Sequence, residues 1–181
     1  MFFKRFANSI WKARGGSVIL AIGVFLLYRA TLHPGFSPGA PASLSAIVLG
    51  LQPAPDHQWL LWRLAGRLVA LVPYGSLSVR LNLMAAVFGA ASVALLFALV
   101  RALLLIVAFR TSILGAVRRK HAAGMAGLVA SLALGASVPF WLAATRSLPY
   151  TFEIFLVLLC GWLLVRTAVT CREMPLALAG G

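Results

Sequence analysis

The 181-residue chain holds three acids and three histidines, so acid–base chemistry has few places to reside. Asp56 and His57 are adjacent and Glu153 stands alone; these three are the candidate catalytic groups. A carboxylate beside an imidazole can serve as a base and its neighbour, or as two ligands of a divalent metal. Asp56 can equally cap the helix that follows it. Glu153 lies where charge is costly unless paired, so a salt bridge to Arg146 or Arg80 competes with a catalytic role. His33, next to Pro34, reads as a loop residue, and His121 joins a basic cluster. The arginines are more numerous and better patterned. Arg63 and Arg67 are spaced i, i+4, so a helix projects both guanidiniums from one side, which suits a phosphate or pyrophosphate. Snorkelling to lipid phosphates uses the same spacing. Arg80 and Asn82 stand at the first turn of a long apolar run and Arg146 at a tight turn; with Arg63 and Arg67 they form a candidate substrate-binding set. Cys160 and Cys171 are separated by eleven residues of helix, too far for a disulfide, and no Cys-x-x-Cys pair exists.

These groups need elements to hold them, and the composition says which kind. At 62% hydrophobic and 10% charged the chain is excluded from the ordinary soluble class, in which about a quarter of residues are charged. The expected fold is all-α integral membrane, with about four transmembrane helices over 17–32, 77–109, 122–144 and 151–169. Residues 1–16 form a basic amphipathic segment that lies on the cytoplasmic leaflet, and 171–181 a short tail. The first span also fits a signal peptide, with Ala40-Pro41-Ala42 as the nearest cleavage pattern. The run from Leu77 to Phe109 is the centre of the chain. Ala85, Ala86, Gly89, Ala90, Ala91 and Ser92 give it a small-residue face that admits a neighbouring helix. Its last part, from Arg101, either continues the span or bends along the membrane surface. Between the first two spans, 33–76 carries six of the nine prolines and reads as an outer loop. It holds one helix over Ser43 to Leu51 and a second, amphipathic and interfacial, over His57 to Val72.

The net charge of +13 would point to nucleic acid in a soluble chain. Here it follows membrane topology. Ten basic residues fall at one set of span ends (Lys4, Arg5, Lys12, Arg14, Arg110, Arg118, Arg119, Lys120, Arg166, Arg172) and five at the other (Arg29, Arg63, Arg67, Arg80, Arg146). That bias places both termini in the cytoplasm and makes a nucleic-acid partner unnecessary.

The segment Val79-Arg80-Leu81-Asn82-Leu83-Met84-Ala85-Ala86-Val87-Phe88-Gly89-Ala90 resembles the second-span signature of a family of bacterial membrane proteins similar to protein O-mannosyltransferases, within the C-type glycosyltransferases. Leu64-Ala65-Gly66-Arg67-Leu68 and Leu71-Val72-Pro73-Tyr74-Gly75 resemble the family's outer amphipathic helix and the turn after it. Phe140-Trp141 followed by Tyr150 resembles the outer end of its third span and the start of its fourth. The likeness covers roughly residues 17 to 170 and is to the family's amino-terminal module. It implies a bacterial inner-membrane protein that takes a polyprenyl-phosphate-linked sugar, and adds Tyr150 to the substrate-binding set. Two departures bear on activity: the outer-loop acidic motif of the Trp-Asp-x-Gly-Glu type is replaced by Pro38-Gly39-Ala40-Pro41-Ala42-Ser43, and an acid expected just before Tyr150 by Leu148.

Two functions are therefore open: a glycosyltransferase-like module binding a polyprenyl-phosphate sugar at the outer membrane face, and a non-catalytic relative that keeps a lipid-phosphate site as a scaffold or subunit. A transporter component is a third reading, with little pathway to support it. Membrane lipids, the sugar donor and further membrane subunits are the expected partners.

Overall fold

A computed structural model of the chain describes residues 14–35, 38–53, 59–111 and 116–178. Seven helices make up the described structure: α1 (Arg14–Ala30), α2 (Ala40–Val48), α3 (Leu60–Ala70), α4 (Leu77–Thr111), α5 (Ala116–Ala136), α6 (Val138–Thr145) and α7 (Tyr150–Leu178). No strand occurs among the described residues, and the all-α membrane architecture follows from the apolar helices. Leu77–Val107 and Tyr150–Val169 are each long and apolar enough to cross a bilayer. The α5–α6 pair makes a third crossing if its two limbs act as one. α1 has 17 residues, about 25 Å of helix, which is short of a full ~30 Å hydrocarbon core.

α4 is the hub, touching α1, α3, α5, α6 and α7. Its small-residue face is what makes this possible. A Cβ on Gly89 would come within 2.9 Å of the Ala144 Cβ and 3.2 Å of the Tyr28 ring, so α1 and α6 both close on this point. Val24 and Tyr28 of α1, Ala86, Ala90 and Val93 of α4, and Phe140 and Ala144 of α6 form the core there. The helix runs unbroken to Thr111, so the segment after Arg101 continues the same helix without a bend.

Where a single span over 122–144 was expected, the structure has two helices. α5 and α6 meet at a 65° bend. Pro139, in the first turn of α6, has no N–H to give the Gly135 carbonyl four residues back, and its ring crowds that carbonyl. The freed oxygen accepts instead from the Tyr28 hydroxyl at 2.8 Å, while Tyr28 stacks edge-on against Trp141 with centroids 5.5 Å apart. One proline thus bends the span and creates the acceptor that fixes α1.

Around the loop the helix limits also shift. α2 begins at Ala40 because Pro41 fits the first turn, and it ends through Gly50, whose φ is 75°. Gly50 N–H donates to the Ile47 carbonyl at 3.1 Å and Leu51 N–H to that of Ala46 at 2.9 Å, a Schellman closure three residues ahead of the expected end. α3 begins at Leu60 with Trp59 as N-cap, at φ 56°, in place of the Asp56 expected there. Asp56 and His57 lie outside the described residues.

Candidate functional site

The loop end of the bundle is assembled by arginines that cap helices. The Schellman turn satisfies the carbonyls of Ala46 and Ile47 but leaves that of Val48, at the last position of α2. Arg67 of α3 supplies the donor, Nε to Val48 O at 3.2 Å. One helix later the same device recurs. Arg80 of α4 donates from Nη1 to the carbonyls of Ala70 at 2.5 Å and Val72 at 2.6 Å, closing the end of α3 before Pro73. Each guanidinium also meets the negative end of the dipole it caps. Sequence reading placed both arginines at a phosphate; the structure gives each a first partner in backbone oxygen.

Packing explains why α3 lies where Arg67 can reach. A Cβ on Gly66 would stand 2.9 Å from Val48 Cγ1, so only glycine lets α3 approach α2 this closely. Trp62 is fully buried with Leu44, Val48, Leu81 and Met84. The opposite side of α3 stays open: Leu64, Leu68 and Leu71 are exposed. Together with Val48, Leu49 and Ala70 they line a groove of about 570 Å³ whose charged member is Arg67. A guanidinium carries five N–H donors, so Arg67 keeps four after bonding Val48. Arg63, one turn back, is half-buried, and its Nε is shut away without a partner. The lining leucines at i, i+4 and i+7 were legible as an apolar stripe, but not as one wall of a groove.

The remaining candidates gather around a second point. Asn82 is buried and donates from Nδ2 to the carbonyls of His33 at 2.8 Å and Gly35 at 3.2 Å. Ser78 Oγ reaches the Pro34 carbonyl at 3.4 Å, and His33 N–H the Thr145 carbonyl at 3.4 Å. This ties the start of the loop to α4 and to the end of α6, beside Arg146, the half-buried C-cap of α6. Ser45 and Ser147, both buried, share a 3.1 Å hydrogen bond that holds α2 to the same turn. Tyr150 and Glu153 begin α7 with exposed side chains. The expected ion pair from Glu153 to Arg146 or Arg80 does not form among the described residues, since Arg80 is committed to α3 and Glu153 faces outward. Among the described residues no group of three His, Cys, Asp or Glu side chains is placed to hold a metal.

Comparison with protein families then gives a match: the family model described as Protein O-mannosyl-transferase TMEM260 N-terminal domain covers residues 59–175. The chain belongs to this family. Searches of curated proteins and of solved structures returned no match. The TMEM260 N-terminal domain match starts at the N-cap of α3 and ends within α7. It therefore contains Arg63, Arg67, Arg80, Asn82, Arg146, Tyr150 and Glu153, whereas Asp56 and His57 precede it.

Proposed function

We propose that this domain binds a polyprenyl-phosphate-linked sugar at its loop end, with the isoprenoid chain along α3 and the phosphate at Arg67. The observation that carries the reading is the groove itself: an apolar trough of about 570 Å³ containing a single cation with unused donors. Isoprenoid units match the leucine walls, and a phosphate matches a planar guanidinium. Arg63 adds a second charge one turn away, and Arg80, Asn82, Arg146 and Tyr150 are the further candidates for contacts to the sugar. The bias of basic residues supports placing this end outside the cytoplasm, and the family resemblance supports a bacterial inner membrane.

The family name carries mannosyl transfer, and the domain's part in such a reaction would be to hold the donor. Sugar transfer would join an acceptor hydroxyl oxygen to the anomeric carbon as the bond to phosphate breaks, the polyprenyl phosphate leaving and the hydroxyl proton passing to a base. Glu153, exposed at the start of α7, is the base candidate within the described structure, with Asp56 and His57 in the loop before α3. The scaffold reading keeps the same lipid site without this step.

Binding of a fluorescent polyprenyl phosphate to the purified chain tests the site. Leu71→Trp fills the groove without touching the Val48 bond and should weaken binding about tenfold, as should Arg67→Ala. Unchanged affinity in the Leu71 variant would rule the groove out. Loss of sugar transfer in Glu153→Gln with donor binding intact would favour catalysis, and absence of transfer in the parent chain the scaffold.

A further inference from the structure

The end of α2 is held by little. α2 has nine residues, fewer than the roughly 12–15 at which a helix becomes marginally stable by itself in water. Its last turn is closed by three amides, Leu49 to the Ser45 carbonyl at 3.1 Å, Gly50 to that of Ile47 at 3.1 Å and Leu51 to that of Ala46 at 2.9 Å. One side chain adds to them, Arg67 Nε on the Val48 carbonyl at 3.2 Å. Leu49, Gly50, Leu51, Gln52 and Pro53 are all exposed. Local opening of this turn therefore costs less than opening of the core around Trp62, and the Arg67 bond is a large part of what opposes it.

That bond is also part of the groove. Val48 and Leu49 line the groove from α2 and Arg67 lines it from α3, so the capping bond joins the two walls. A guanidinium is a rigid plane with donors on more than one edge. Its Nε–H can stay on the Val48 carbonyl while the Nη groups take a phosphate. A long side chain gives up rotamer freedom to do either task, and once one partner has fixed it the second finds it already in place. A phosphate that instead drew Arg67 away from Val48 would expose that carbonyl and loosen the turn, which is the opposite sign.

We infer that phosphate binding in the groove and closure of the α2 end are coupled through Arg67, each strengthening the other. The inference rests on the reading of the groove as a phosphate site and adds its regulation. Coupling of this kind is reciprocal, so whatever secures the turn also raises affinity for the ligand. Its consequence lies further along the chain: Asp56 and His57 follow Leu51 by five and six residues. Donor binding thus secures the turn from which the segment carrying this candidate acid–base pair departs.

Hydrogen exchange of the full chain in detergent, read by mass spectrometry over residues 44–53, gives the sign. Saturating polyprenyl phosphate should slow exchange at Leu49, Gly50 and Leu51 about fivefold. A polyprenol of the same length, which offers the groove an isoprenoid chain without phosphate, should slow it by less than about twofold. Arg67→Lys should bind more weakly and, at occupancy matched to the parent, show no protection, because an ammonium is a point charge without a second edge. Binding in the parent with unchanged or faster exchange overturns the coupling and leaves the groove reading standing. Equal protection by the polyprenol overturns it too, as does protection that survives Arg67→Lys. Should that variant fail to bind, the comparison of phosphate with polyprenol on the parent decides alone. No binding of polyprenyl phosphate to the parent removes the groove reading and the coupling together.

Discussion

α4 and α7 are both long apolar helices, yet they do opposite work. In the most apolar stretch of α4 a third of the residues are buried inside the protein, against 6% in that of α7. The difference is side-chain size. α4 presents Ala85, Ala86, Gly89, Ala90 and Ser92, which let other backbones approach closely; α7 presents Val157, Leu163 and Leu164 outward. In lipid, apolar area alone gives little reason for two helices to associate, so close packing and hydrogen bonds decide which helix becomes the hub. Apolar character places a helix in the membrane, and small residues place it in the centre.

The strongest challenge to that contrast is Gly89→Leu. With Ala144 and Tyr28 already within 2.9 and 3.2 Å of a bare Cβ, the larger side chain should cost about 3 kcal/mol, read as a lowered unfolding temperature in detergent by circular dichroism. A parent-like transition would mean that α1 and α6 do not close on α4 there. Asn82→Ala comes next. It leaves the His33 and Gly35 carbonyls without their amide donor and should cost about 2 kcal/mol in the same measurement, with faster proteolysis of the loop start. Leu164→Ala should be nearly silent, within about 0.5 kcal/mol, because its side chain is 69% exposed. A large loss from this change would show that α7 packs against something, and the contrast with α4 would narrow to one of partners.

The two ends of the bundle sharpen the same lesson for charge. At the loop end, Arg67 and Arg80 are held by carbonyls at the ends of α2 and α3; at the far end, Arg101 has no such partner. Sequence reading had Arg67 in an i, i+4 pair on an amphipathic helix, Arg80 at the first turn of the central apolar run and Arg101 within that run. It had no means of separating them, because their partners lie 19, 10 and 8 residues away for the caps, and nowhere in the described chain for Arg101. The same holds for Tyr28, whose acceptor is 107 residues distant and exists only because Pro139 freed it. The bend at Pro139 was readable in principle from a proline inside an apolar run, and one span over 122–144 was expected there.

Sequence alone determined the helical, membrane-embedded class, the central role of Leu77 to Phe109, the small-residue face of that helix and the family. The first three are written in local composition and periodicity, since the bilayer demands internally bonded backbone and uniform apolarity over about 20 residues; the family is carried by the resemblance of particular segments and by the match over residues 59–175. Tertiary structure decided which arginines close helix ends, that Arg101 has no partner among the described residues, and that a groove runs beside Arg67. Those outcomes depend on carbonyls left over after each helix has bonded itself, and a carbonyl becomes available to a distant side chain only when folding brings the two together.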